Sequence, residues 1–427
     1  MTQFGAEFRE KYFPQVPKDV TPVNHGSYGL TPKPVLDFLN ELNHEQEEYP
    51  DEFYLLTAKN KYIAQLKALG KFLNVDYHNL ALLPNATMSV NAVLRSIPWD
   101  LKNDKVLIHS STYGGCANSV KFVHDSLGLQ YDIIDLQYPL EDKDVIAKFE
   151  EKLTKNNYKL CMFDTVCSMP GVRLPYEELI KACKKYDTWT LIDAAHGAGL
   201  VDMGFLHKLK PDFVTSNLHK WLCAPKSTSF LYVDPKHHKT IQTFPISWSY
   251  ALNSTELTKE MEENLLIEKF WFSGTINYTS GFCIEKAIRF RKEICGGEEK
   301  INKYQADLQK EAIDIVLREF GTGAKLLDNS THTVSVAGMF NISFPKNERN
   351  TKFIEHLTES FAAYRKFKVK CETKMVVDHK AFAPFIAHNN ELWIRFSVNI
   401  YNTAADYERS AKLIKQTIEE CIEDELK

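Results

Sequence analysis

No stretch of this sequence is apolar for long enough to cross a membrane. Its start interleaves Glu7, Arg9, Glu10 and Lys11 with no apolar h-region, so no secretory leader is expected. An excess of one charge is missing too. With 52 basic and 56 acidic residues the formal net charge is -4, which offers neither a nucleic-acid surface nor a polybasic membrane patch. The cysteines number nine, an odd count, with no CxxC pair and no metal-ligand spacing. Cys161, Cys167, Cys183 and Cys223 stand in or beside apolar segments, as reduced, buried thiols of a cytoplasmic protein do. No metal site is expected. A glycine-rich loop of the dinucleotide or Walker type is absent, as are internal repeats and low-complexity tracts. The composition, 44% hydrophobic and 25% charged over 427 residues, is that of a globular chain of two or three domains.

Short apolar strands then alternate with amphipathic helices. Strands are expected at 80–83, 106–108, 131–136 and 160–163, then ending at Asp193 and at Asn217, then at 230–233. Helical patterns near 85–94, 142–155 and 175–186 separate them, with another after Tyr113. Such βαβ spacing predicts an α/β fold with a largely parallel, buried sheet in a large domain at 55–275. Residues 1–54 read as an arm and a helix packing with a smaller domain, Thr31 being its N-cap and Pro32 its first residue. Residues 276–427 read as that smaller α+β domain, with helices near 278–294, 299–319, 350–364 and 404–424. Its strands are expected at 334–344, 367–377 and 392–398.

Chemistry concentrates at two strand ends. The run Phe213-Val214-Thr215-Ser216-Asn217 stops and Leu218-His219-Lys220 follows; Trp189-Thr190-Leu191-Ile192-Asp193 ends on a carboxylate, with His196 three residues on. Open α/β sheets bind ligands beyond the carboxyl ends of their strands. Taken singly, a solvated loop lysine and a helix-capping aspartate account for Lys220 and Asp193. Together, they are what pyridoxal 5'-phosphate requires of a protein: an amine for the aldehyde and an acid to keep the pyridine nitrogen protonated. His196 is placed to donate to the ring's phenolate oxygen. Asn85-Ala86-Thr87 sits at a strand-to-helix junction, either a capped helix or an anion site with a hydroxyl. Tyr113, in a Thr-Tyr-Gly-Gly loop past a strand end, is placed to cover a flat ring and move a proton, or simply packs. Arg395 is a charge within the apolar run Leu392-Trp393-Ile394-Arg395-Phe396, suited to a carboxylate or to a structural ion pair. Asn24, His25 and Ser27 offer polar tips between Gly26 and Gly29. Lys226 is a rival lysine expected in solvent.

At Asp193-Ala-Ala-His196 and His219-Lys220 the sequence resembles the pyridoxal-phosphate enzymes of fold type I, in the class V aminotransferase family. Cysteine desulfurases of that family carry Asp-Ala-Ala-Gln and Ser-x-His-Lys; here His196 replaces the Gln and Asn217 the Ser. Asn24-His-Gly-Ser-Tyr-Gly29 and Asn85-Ala-Thr87 are similar to the isopenicillin N epimerase-like branch, with its cysteine desulfhydrases and hercynylcysteine sulfoxide lyases. The resemblance implies Lys220 as the Schiff-base lysine, Asp193 against the pyridinium and Tyr113 near the stacked ring. It implies phosphate contacts from Ala86, Thr87, Asn217 and His219, and Ser168 near the ring. Thr275, in Trp271-Phe-Ser-Gly-Thr275, falls where the family reaches the phosphate of a neighbouring subunit, which implies a homodimer. Asn24 and Arg395, with His25 beside them, match substrate-binding positions. A desulfurase also needs a cysteine on a mobile loop; Cys371, the only candidate, stands in the expected strand at 367–377. The implied activity is a carbon–sulfur lyase acting on a small amino acid, cysteine or a cysteine S-conjugate, to give pyruvate and ammonia. An aminotransferase, an epimerase and an inert interaction protein on the same scaffold are the alternatives.

Overall fold

The computed structural model describes residues 3–254 and 256–427. Seven strands form one sheet: β1 (Leu80–Leu83), β2 (Lys105–His109), β3 (Gln130–Ile134), β4 (Leu160–Asp164), β5 (Trp189–Asp193), β6 (Phe213–Asn217) and β7 (Ser229–Val233). Their spatial order is β1-β7-β6-β5-β4-β2-β3. From β6 through β3 every pairing is parallel, and β7 alone runs against its neighbours on both sides. The pleat sorts side chains onto two apolar layers. Leu160, Met162, Leu191 and Phe213 join one core, and Cys161, Phe163, Ile192 and Val214 join the other. Helices cover both faces, which is why these strands read as continuous apolar runs.

A second, antiparallel sheet has the order β8-β10-β9, with β8 at Met339–Ser343, β9 at Phe385–His388 and β10 at Glu391–Ser397. Its core side carries Phe340, Ile342, Ile394 and Phe396, packed on helices Glu298–Phe320 and Ala404–Glu425. On β10 the alternation turns Trp393 into the core of the larger sheet instead. Arg395 points the same way and reaches the loop after β4.

The smaller sheet departs from the expected strands. Residues 367–377 are not a strand but the second half of helix Phe361–Val377. Lys-Val-Lys-Cys alternates like a strand, yet Phe367, Cys371 and Met375 recur every four residues as the buried stripe, and Ser360 caps the start through the Ala363 N–H. Of 334–344 only Met339–Ser343 is strand, and β9 was not foreseen. Near the amino end, Thr31 does not cap a helix. Its hydroxyl donates to Ala224 O at 3.1 Å, and the helix begins after Pro32, at Lys33–Glu48. The arm is tied to the smaller sheet's elements through Arg9 on Asp406 and a bridge from Thr21 to Ala381. The Lys33–Glu48 helix lies against the segments Gly281–Cys283 and Ile284–Arg289, also within 276–427.

One contact ties the amino-terminal segment to the turn after β6. Gly29 closes the helical turn His25–Tyr28 at φ 69°, and a Cβ there would lie 1.8 Å from His219 O and 3.0 Å from Lys220 Cα. Gly29→Ala is therefore expected to destabilise the fold by about 3 kcal/mol or more, read from its denaturant midpoint; an unchanged midpoint would show that the contact is not needed.

Candidate functional site

Because β2, β4, β5 and β6 run parallel, their carboxyl ends open on one edge, and their last residues are His109, Asp164, Asp193 and Asn217. Asp193 is 2% exposed. Its Oδ1 accepts the Ala195 N–H at 2.9 Å and its Oδ2 accepts the Cys116 S–H at 3.3 Å. Lys220, 8% exposed, reaches the same pocket from the turn after β6, and its Nζ lies 3.1 Å from His196 Nε2. The pair feel each other's charge without closing an ion pair, which leaves an amine and an acid separately available.

Burial first, then the Arg395 charge, pushes Lys220 down to about 8, against the pull of Asp193, Asp164 and Cys116. At about 1.4 kcal/mol per unit, holding a proton there costs roughly 3 kcal/mol more than in water. Desolvation wins over attraction, so near neutrality a far larger share of the amine than in an ordinary lysine is unprotonated and able to attack a carbonyl. His196 is driven well below 6.5 by burial, with Lys220 and Arg395 adding to it.

The turn carrying Lys220 is gripped from several sides. His25 Nε2 bonds Lys220 O at 2.8 Å and its Nδ1 bonds the Tyr401 hydroxyl at 2.7 Å. Both ring nitrogens are thus engaged within the protein, and burial takes His25 down to about 3. Arg291 Nη1 donates to Trp221 O at 2.6 Å, and Trp221 Nε1 donates to His196 Nδ1 at 3.1 Å. Lys226 lies at the surface with its Nζ on Gly29 O, away from the acid.

At the start of helix Ala86–Ser96, Asn217 Oδ1 accepts the Ala86 N–H at 2.9 Å and Asn85 Oδ1 accepts the Met88 N–H at 2.9 Å. The Thr87 N–H and hydroxyl have no partner among the described residues, so this end of an eleven-residue helix can hold an anion. His219 Nδ1 lies 3.1 Å from Thr228 O, and burial lowers its pKa to about 4. Tyr113 is 48% exposed, with its hydroxyl pushed up by burial and by neighbouring Cys116 and Asp193, so it stays protonated. Thr275 lies on the surface beyond helix Leu265–Phe270, and no hydrogen bond among the described residues joins it to this cluster.

Arg395 is 1% exposed and makes no ion pair among the described residues. Nη1 donates to Ser168 O at 2.7 Å; Nη2 donates to Asn24 Oδ1 at 3.0 Å and Ser27 Oγ at 2.7 Å. Nε has no partner. A guanidinium held only by neutral acceptors is not the structural ion pair that an apolar strand suggests, and burial lowers its pKa to about 10. Gly171 makes room for it: a Cβ there would sit 2.9 Å from Arg395 Cδ.

Several members of the pocket escaped the sequence reading. Asp164 pairs in register with Asp193, bonds His109 Nε2 at 2.9 Å, and is raised by burial to about 6. Both residues end apolar strands, the signal that singled out Asp193. His109, Asp164 and Cys167 bring their donor atoms within 4.8 Å of one another, all buried, with the His109–Asp164 bond already formed. Cys116 lies three residues past Tyr113, in the first turn of helix Gly114–Leu127, and Trp221 follows the lysine directly. Cys371, by contrast, is buried on its helix and not on a loop.

The Aminotransferase class-V family model matches residues 32–409. A hercynylcysteine sulfoxide lyase from Schizosaccharomyces pombe is 29% identical, over 96% of this chain and 97% of that one. An L-cysteine desulfhydrase-like protein, lolT1, from Epichloe uncinata is 24% identical, over 96% and 95%. Among solved structures, a complex of the cystine C-S lyase C-DES superposes with TM-score 0.73 at 19% identity, covering 95% of this chain and 99% of that chain.

If Lys220 is the amine that takes up the cofactor aldehyde, capture of pyridoxal phosphate by cofactor-free protein should accelerate about tenfold per pH unit and level off near pH 8. An ordinary lysine, at 10.5, would keep accelerating well past that point. Stopped-flow absorbance measures the profile, and a plateau near 10 would contradict the buried amine.

Proposed function

Because the chain belongs to the class V aminotransferase family, we propose that it is a carbon–sulfur lyase that uses pyridoxal 5'-phosphate, the family's cofactor, to cleave cysteine or a cysteine S-conjugate. The observation that carries the amino-acid part is Arg395, a buried guanidinium with an unpartnered Nε and only neutral acceptors around it. A substrate carboxylate would supply the missing anion, oriented by Asn24 and Ser27 as well.

The residues fit the cofactor. Lys220 offers a buried amine, Asp193 a buried acid with no basic partner bonded to it, and Thr87 an unbonded N–H at a helix start. Once bound, pyridoxal phosphate supplies an electron sink for the substrate Cα. Asp193 would hold the proton on the pyridine nitrogen, through the attraction of opposite charges. Lys220, freed by the incoming amino group, would take the Cα proton at Nζ; its lowered basicity suits that work near neutrality. Thr87, with Ala86, Asn217 and His219 around it, would hold the phosphate. Ser168 and Tyr113 would border the ring, and the protonated Tyr113 hydroxyl can give its proton to the leaving sulfur.

Two things favour elimination over sulfur transfer to a protein thiol. Cys371 is buried on a helix, and the relatives spanning the chain are named as a sulfoxide lyase and a desulfhydrase-like protein. Thr275 on an exposed segment is consistent with a homodimer in which it would serve the partner's phosphate, and nine buried free thiols suit the cytoplasm. No helix among the described residues is long and apolar enough to cross a membrane.

The decisive experiment incubates the yellow, cofactor-loaded protein with cysteine and a panel of its S-conjugates and follows pyruvate. Pyruvate formed without any 2-oxo acid supports the lyase. A strict need for a 2-oxo acid would make it an aminotransferase, racemised substrate without pyruvate an epimerase, and no visible absorbance an inert scaffold. Asp193→Asn should reduce turnover by on the order of 100-fold while weakening cofactor binding far less; equal losses would count against its role. Arg395→Gln should raise KM about 100-fold, roughly 3 kcal/mol of lost charged hydrogen bonds, with a smaller change in kcat.

A further inference from the structure

His196 has two hydrogen-bonding neighbours, and they differ in kind. Nδ1 lies 3.1 Å from Trp221 Nε1, and Nε2 lies 3.1 Å from Lys220 Nζ. An indole N–H only donates, so Nδ1 is an acceptor and carries no proton. A neutral imidazole has one ring proton, which must then sit on Nε2, facing the lysine. The neutral form is enforced by burial, with the Lys220 and Arg395 charges adding to it.

Trp221 is itself fixed. It is 1% exposed, its ring packs on His25 at 5.0 Å between centroids, and its carbonyl is held by Arg291. Gly199 lets the chain close over it: a Cβ there would meet Trp221 C at 2.7 Å. The indole therefore arrives at His196 from a rigid mount.

We propose that Trp221 is a positioning residue whose indole N–H sets the tautomer of His196, so that the imidazole always presents an N–H donor on the Lys220 side of the pocket. The proposal rests on the reading that this pocket holds pyridoxal phosphate. Where desulfurases of the family carry Gln at this position, the amide can turn its NH2 to the ring without help. An imidazole can present either a donor or an acceptor there, and the choice must be made for it. With the donor fixed, Nε2–H and a protonated Lys220 would oppose one another across 3.1 Å. The arrangement is satisfied only by a neutral amine that accepts, or, with the cofactor present, by the ring's phenolate oxygen. The remaining charged or titratable groups acting on Lys220 are Asp193, Asp164, Cys116 and Arg395.

The test combines ring-nitrogen spectroscopy with a pH titration. Histidine-15N-labelled, cofactor-loaded protein should show one ring, missing from His196→Gln, with an unprotonated Nδ1 and a protonated Nε2 throughout the neutral range. In Trp221→Phe, which keeps a ring but loses the N–H, that pattern should reverse or average. The titration midpoint of the visible band should also rise in Trp221→Phe, by about one pH unit, because a donor on the phenolate favours the unprotonated form. In the His196→Gln background the same change should move it by less than about 0.3 unit. A proton found on Nδ1 of His196 in the native protein, or an equal shift in both backgrounds, would overturn the proposal. The native spectrum decides alone should Trp221→Phe fail to fold. Protein that takes up no pyridoxal phosphate has no visible band, which sinks the functional reading, while the ring-nitrogen shifts still report the tautomer.

Discussion

The pocket depends on keeping three ionisable groups buried and unspent. Asp193, Lys220 and Arg395 are each nearly inaccessible, and none is neutralised by another. Left to itself, a chain would resolve this by letting the lysine reach the aspartate, since an uncompensated buried charge costs several kcal/mol. The fold prevents that by holding backbone, not side chains. The turn at 219–222 is seized by Gly29 against His219 O, by His25 on Lys220 O, by Arg291 on Trp221 O and by Gly199 beneath Trp221. Three separate segments of the chain are committed to one turn, so the amine has a fixed origin and no freedom to collapse.

The same logic explains the distribution of work between the two sheets. The parallel sheet supplies acids at its strand ends because its pleat leaves the last residue of each strand at the rim. The antiparallel sheet supplies the cation, because β10 alternates between two cores and Arg395 on its outward side faces the loop after β4. Neither sheet holds a complete pocket. Asn24 and Ser27, from the amino-terminal segment, complete the Arg395 side. The segment that reaches Arg395 is the one that also braces Lys220, through His25 and Gly29.

The large sheet was legible from sequence because buried parallel strands leave uninterrupted apolar runs, and a polar residue closing such a run marks the rim. That rule singled out Asp193 and Asn217, and applied uniformly would have added Asp164 and His109. The smaller sheet was less legible. At 367–377 Lys368 and Lys370, half-buried on either side of a helix's apolar stripe, imitate a strand's alternation, and only the four-residue spacing of Phe367, Cys371 and Met375 tells them apart. Thr31 looked like a cap because its type suits one, whereas a distant carbonyl, Ala224 O, claims its hydroxyl. Arg291 and Trp221 act through contacts remote in sequence, and no local pattern announces them.

All nine cysteines are buried, and burial raises the thiols of Cys116, Cys161 and Cys167 far above the range in which they would ionise. A lyase acting on a sulfoxide conjugate would release sulfenate-level sulfur into its own pocket, an electrophile that a neighbouring thiolate attacks. Cys116 is the most endangered, since it stands within the pocket, yet burial first and then the Asp193 carboxylate it touches keep it in the unreactive form. The dry surroundings and the acid that would serve the cofactor thus also shield the pocket's own thiol from oxidation.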